Sequence, residues 1–110
     1  MIFIAILLVR PEAIDRVRDL LIDIARQTAS EEGALSYQAL QSASEPAHFQ
    51  VVERYRDRAA FEAHMASSYV QDALREFEQL LEEPPATSFF EPFAEFTAPS
   101  LSATLQPSVH

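Results

Sequence analysis

The order of hydrophobic periods in this chain predicts an α+β domain of β-α-β-β-α-β order. This is the ferredoxin-like arrangement, a four-stranded antiparallel sheet with two helices on one face. Three observations carry the prediction. The apolar run IFIAILLV opens the chain; two later stretches, ALSYQALQ and FQVVERYR, alternate in twos; and the segments after Pro11 and after Asp57 repeat every three to four residues.

IFIAILLV reads as a strand buried on both faces, because it is continuously apolar and rich in β-branched residues. Arg10-Pro11-Glu12 stops it and starts a helix, since proline suits a first helical turn and an acidic residue suits the positive end of the helix dipole. Ile14, Val17, Leu21 and Ile24 then make one apolar stripe, with charged residues mostly elsewhere. Gly33, the only glycine, is expected to supply the left-handed residue that ends this helix.

Leu35, Tyr37 and Ala39 form one face of a second strand. The turn-forming SASEPAH leads to a third, in which Phe49, Val51, Glu53 and Tyr55 share a face. Asp57 is a candidate N-cap, and Phe61, Met65, Val70, Leu74, Phe77 and Leu81 form a stripe with an expected break at Ser67-Ser68. Pro84 and Pro85 end the helix, and SFFEPFAEF is a last strand whose Pro92 argues for an edge or bulged position.

Residues 1–96 thus make one domain and 97–110 a tail, with Leu101, Leu105 and Val109 as anchors, on a partner subunit if there is one. Ile4 with Ala5, Val51 with Val52 and Phe89 with Phe90 put apolar side chains on both sheet faces. A homodimer stacking two sheets would cover the helix-free side.

The formal charge is −9, and the eight basic residues, all arginine, are scattered among acidic ones. Nucleic acid and anionic membranes are therefore excluded as expected partners. The absence of cysteine removes thiolate catalysis, thiolate metal sites and iron–sulfur clusters. The eight-residue N-terminal run lacks the features of a signal peptide and is too short to span a bilayer, so the expectation is a cytoplasmic protein.

The run EGALSYQALQSASEPAHFQVVERYRDRAAFEAHMASS resembles the antibiotic biosynthesis monooxygenase family of dimeric α+β barrels. The resemblance covers about residues 1–96 and rests on E-G-x-L-x-Y entering strand two, E-R-Y ending strand three, and A-F-E-A-H-x-A-S on the second helix. Such proteins oxygenate quinols or anthrone-type polyketides without a cofactor, degrade haem, or isomerise a small phosphorylated sugar. Haem-degrading members carry Asn, Trp and His where this chain has Leu7, His64 and Leu74, so haem chemistry is not expected. The Asn and Trp of anthrone oxygenases fall on Ala60 and His64, with Tyr69 near their later Tyr. His64 in its A-x-x-H context looks more like the quinol-oxygenase and isomerase branches.

His64 is the candidate proton acceptor, since imidazole titrates near neutrality; otherwise it is a packed helical residue bonded to the neighbouring strand. Glu53, a carboxylate in an apolar row, is expected to orient His64, to pair with an arginine, or to be exposed at a strand end. Tyr37, Tyr55, Tyr69 and Phe61 are the expected substrate contacts, the tyrosines by hydrogen bonds to oxygen. His48 and His110 have no metal-binding spacing to His64, so no metal is expected, and no cofactor.

The expectation is a cofactor-independent monooxygenase acting on a quinol or related aromatic or polyketide. Two alternatives stay open. One is an isomerase or lyase for a small enolisable carbonyl compound, though the few arginines near the site weigh against a phosphorylated one; the other is a non-catalytic ligand-binding dimeric module.

Overall fold

The computed structural model describes residues 1–99; the expected tail anchors Leu101, Leu105 and Val109, and His110, lie outside the described residues. Alternation along the first strand decides how the sheet is used. In β1 (Ile2–Leu8), Phe3, Ala5 and Leu7 are buried beneath the helices, while Ile2, Ile4 and Ile6 are half-buried on the other face. The strand is central, flanked by β3 (His48–Tyr55) and β4 (Ala86–Phe90), with β2 (Ala34–Gln41) beyond β3. All pairings are antiparallel.

The order β2-β3-β1-β4 confirms the ferredoxin-like topology. In β3 the alternation is as expected: Phe49, Val51, Glu53 and Tyr55 all point into the core. A bulge between Ala34 and Ser36 shifts β2 so that Tyr37 lies opposite Glu53. Phe3 lies opposite Glu53 on its other side, so the carboxylate is set in an aromatic row. β4 is an edge strand, but it ends at Phe90, and Pro92 falls beyond it rather than in a bulge.

A 3₁₀ turn at Pro11–Ala13 leads into α1 (Ile14–Thr28), which buries Val17, Leu21, Ile24 and Thr28. The expected left-handed Gly33 is not found; no described residue has a positive φ. The helix unwinds instead through right-handed turns, with Ala29 N–H on Ala25 O, Ser30 N–H on Gln27 O and Glu31 N–H on Thr28 O. These bonds satisfy the terminal carbonyls without a left-handed cap.

Gly33 is needed for a different reason. A Cβ there would stand 2.3 Å from the Ala60 Cβ of α2 (Arg58–Ala66), and no helix could approach so closely against any other residue. Asp57 caps α2 by accepting the Ala60 N–H at 2.9 Å. The second helical region does divide where the serines predicted, into α2 and α3 (Ser68–Leu80), because Ser67 is extended and its hydroxyl donates to the His64 carbonyl at 2.6 Å. α3 buries Val70, Ala73 and Phe77, and the chain then crosses back through Leu81, which bridges to Val9.

Gly33→Ala is expected to destabilise the fold by about 1–3 kcal/mol, the usual cost of forcing a methyl into a packed contact. Adding Ala60→Gly should recover part of it, short of the ~1 kcal/mol that a helical glycine costs. Denaturant melts of the three variants check both statements.

Candidate active site

The Gly33–Ala60 contact brings the turn after α1 against α2. Two residues before Gly33 is Glu31; one helical turn after Ala60 is His64. The His64 Nδ1 lies 3.0 Å from Glu31 Oε1 and 3.2 Å from Oε2. A carboxylate can only accept, so Nδ1 carries the hydrogen and donates it. The opposite nitrogen, Nε2, is therefore a lone pair in the neutral ring, and it faces Glu53 Oε1 at 3.4 Å.

One imidazole is thus held between two carboxylates from different parts of the fold. Tyr55, fully buried, donates to Glu53 Oε1. Tyr69, on α3, donates to Glu31 Oε2, lies 3.1 Å from Thr28 Oγ1 and 3.4 Å from His64 Nδ1. The extended Ser67 between α2 and α3 lets Tyr69 reach back to this edge of the ring, since an unbroken helix would have carried it on past His64.

Burial governs the charges. Glu53 is 5% exposed and His64 3%. Burial pushes the Glu53 carboxyl up to about 7, against the Tyr55 hydrogen bond, which favours its charged form; the nearby charge of Glu31 pushes the same way as burial. Burial holds the His64 imidazolium below its ordinary range, although Glu31 opposes this by charge and hydrogen bond. At neutral pH the ring is accordingly neutral, and Glu53 is poised between its two forms. The Tyr37 and Tyr55 hydroxyls are pushed well up by burial first, and Tyr69 up to about 12, so all three remain hydrogen-bond donors.

Between the sheet and the helices lies a cavity of about 100 Å³. Its lining is apolar, with residues such as Leu7, Ile24, Val51, Met65 and Phe77, except at Tyr37, Glu53, His64 and Thr87. Tyr37 hydrogen-bonds to no other side chain among the described residues, which leaves its hydroxyl for a ligand. Of the expected substrate contacts, only Tyr37 lines this cavity. Tyr55 sits behind Glu53, Tyr69 sits beyond Glu31, and Phe61 packs among Phe3, Tyr55 and Phe89.

Sequence reading paired His64 with Glu53 and missed Glu31, which makes the shorter contact. The one signal for Glu31 was its place two residues before the only glycine. Among the described residues no group of His, Cys, Asp or Glu is arranged to hold a metal. Glu31 and Glu53 face opposite edges of the ring and do not converge.

A sheet with helices on one face, enclosing a small cavity with a buried acid–base cluster, defines a small ferredoxin-like α+β domain with a site fit for proton transfer. A family model described as "Antibiotic biosynthesis monooxygenase" matches residues 1–83, and the chain belongs to that family. The structure superposes on Rv0793 from Mycobacterium tuberculosis with a TM-score of 0.81, at 30% identity over 87% of this chain and 97% of that one. A Deinococcus radiodurans protein named for the same family matches at TM-score 0.79 and 25% identity, over 90% and 98%. PA3566 from Pseudomonas aeruginosa, at TM-score 0.79 and 24% identity over 84% and 93%, shares the fold. No curated protein sequence matches this chain. No helix among the described residues is long and apolar enough to cross a membrane.

The two buried titrations oppose each other in stability. Glu53, raised in the fold, contributes stability that is complete below its unfolded value of about 4.5 and is lost as pH rises through about 7. His64, lowered in the fold, costs stability as pH falls through the unfolded imidazole range near ~6.5. Glu53→Gln removes the first effect, so its stability relative to wild type is expected to rise between about pH 4.5 and about pH 7 and to level off above that. Thermal melts across that range check this, and a constant difference would contradict it.

Proposed function

We propose that this protein is a monooxygenase that oxidises an electron-rich hydroxylated aromatic, a quinol or a related phenolic or polyketide compound, with dioxygen and no bound cofactor. The observation that carries the reading is the buried Glu53–His64 pair in the wall of an otherwise apolar cavity. A base whose proton affinity lies near neutrality can deprotonate a phenol or the enol of a ring ketone, and Tyr37 can donate to a substrate oxygen. The resulting anion is the reductant. It adds dioxygen at carbon as a hydroperoxide, which loses water to leave a carbonyl; a CH₂ carbon and O₂ become C=O and H₂O, and the electrons come from the substrate.

The cavity volume keeps a second reading in view. A dry cavity of roughly 150 Å³ holds a benzene ring, so about 100 Å³ suits a small enolisable carbonyl compound unless Met65 and Leu74 give way. An isomerase or lyase would use the same Glu53–His64 pair. The aligned polar groups weigh for either chemistry over a non-catalytic binding module.

A homodimer goes with this reading. Ile2, Ile4, Ile6, Val52, Leu40 and Phe90 leave an apolar helix-free face only partly covered, and a second copy stacking on it would bury that area. Residues 1–96 are then the domain. A cytoplasmic location also goes with it.

Oxygen uptake with naphthoquinols and anthrones tests the first reading. Wild type should consume oxygen, and His64→Ala and Glu53→Gln should each lower turnover by about 10²-fold or more. Unchanged turnover in both variants would overturn the assignment of the pair, and no uptake on any substrate would favour the carbonyl reading. Sedimentation should give twice 12.4 kDa at micromolar protein; a monomer would contradict the stacked sheets.

A further inference from the structure

His64 divides two environments. On its Nε2 side is Glu53, whose side chain is 7% exposed, in the cavity wall with Tyr37. On its Nδ1 side is Glu31, in the turn after α1, whose side chain is 23% exposed. The ring itself is 3% exposed and stands between them. A proton left on Glu53 by a bound molecule has few places to go. The Tyr55 hydroxyl beside it is closed in the core and already protonated, and the rest of the wall is apolar but for Tyr37 and Thr87. Imidazole alone among side chains can accept on one nitrogen while releasing from the other.

We propose that His64 is a proton relay between cavity and solvent: Glu53 takes the proton from the bound molecule, His64 carries it across its ring, and Glu31 exchanges it with water. The transfer balances as follows. The Glu53 O–H bond breaks as an Nε2–H bond forms, the Nδ1–H bond breaks as Glu31 gains the hydrogen, and Glu31 then loses it to water. The ring is left as the other neutral tautomer. Running in reverse, the same path returns one proton to the cavity when a hydroperoxide loses water, which resets the tautomer. The 3.4 Å gap at Nε2 is longer than a strong hydrogen bond, a separation that commonly tightens once a ligand fills such a site.

The groups facing this path are Glu31 from the turn after α1, Tyr37 from β2, Glu53 and Tyr55 from β3, and Tyr69 from α3. Neither carboxylate has an arginine within ion-pair distance among the described residues. Tyr69, by donating to Glu31 Oε2, holds that carboxylate against Nδ1. Glu31 is thus a positioning and relay residue that does not touch the cavity.

The inference rests on the reading of Glu53 as the group that meets the substrate, but the path can be tested without turnover. Infrared difference spectroscopy follows the exchange of the Glu53 carboxyl proton for deuterium at about pH 6, below the value of about 7 to which burial pushes that carboxyl, with Glu53→Gln assigning the band. Glu31→Gln and His64→Gln keep a hydrogen-bonding side chain that cannot pass a proton, and each should slow exchange by about tenfold or more. Glu31→Asp should stay nearer the wild-type rate. Equal rates in wild type and Glu31→Gln, with unchanged melting temperatures, would mean the proton leaves through the cavity mouth and would overturn the relay. If His64→Gln fails to fold, the Glu31 pair decides alone. Slowed exchange in a protein that consumes no oxygen would keep the relay and discard the oxygenase.

Discussion

Gly33 and Ala60 stand so close that a methyl group on the glycine would meet that of the alanine at 2.3 Å, and the spacing between the turn after α1 and helix α2 is set there. Backbone bonds lock the contact, with Arg56 N–H on Gly33 O and the Asp57 side chain on Ala60 N–H. Because α2 starts at this contact, His64 one turn further on is carried to the Glu31 carboxylate. A wider approach would leave the imidazole without its anchoring acceptor. Burying an unpaired polar ring costs a few kcal/mol, so the contact and the hydrogen bond sustain each other.

A second consequence follows from how little water reaches the cluster. Two carboxylates near one another in a dry site cannot both hold a full charge cheaply, and here their environments differ. Glu31 is partly in contact with solvent and takes hydrogen bonds from His64 and Tyr69; Glu53 lies in an apolar and aromatic row with Tyr55 as its donor. Burial pushes the Glu53 carboxyl up, against the Tyr55 hydrogen bond that favours its charged form. The neutral imidazole between them relieves the repulsion without adding a net charge to the interior.

The fold itself does not choose the chemistry. Membership of the antibiotic biosynthesis monooxygenase family establishes the scaffold. The side chains must supply the chemistry, and the polar ones in the cavity wall are Tyr37, Glu53, His64 and Thr87.

Much of the scaffold was legible in the sequence, because periodicity is a local property. The alternation of Phe49, Val51, Glu53 and Tyr55, the stripe of Val17, Leu21 and Ile24, and the break at Ser67 each follow from residues within a few positions of one another. His64 and Glu53 could be singled out because each is polar on a face otherwise apolar. The partnership with Glu31, 33 positions from His64, has no period and no local pattern. Nor could sequence tell a glycine required by a helix cap from one required by a neighbouring helix, since both read as one glycine after an acidic pair. The chain alone determined which faces are apolar and the order of the elements, though not every boundary, since β4 spans Ala86–Phe90 and stops short of Pro92. Only the packing of α2 against the turn after α1 decided which carboxylate holds the imidazole, because distances between layers are set by contacts remote in sequence.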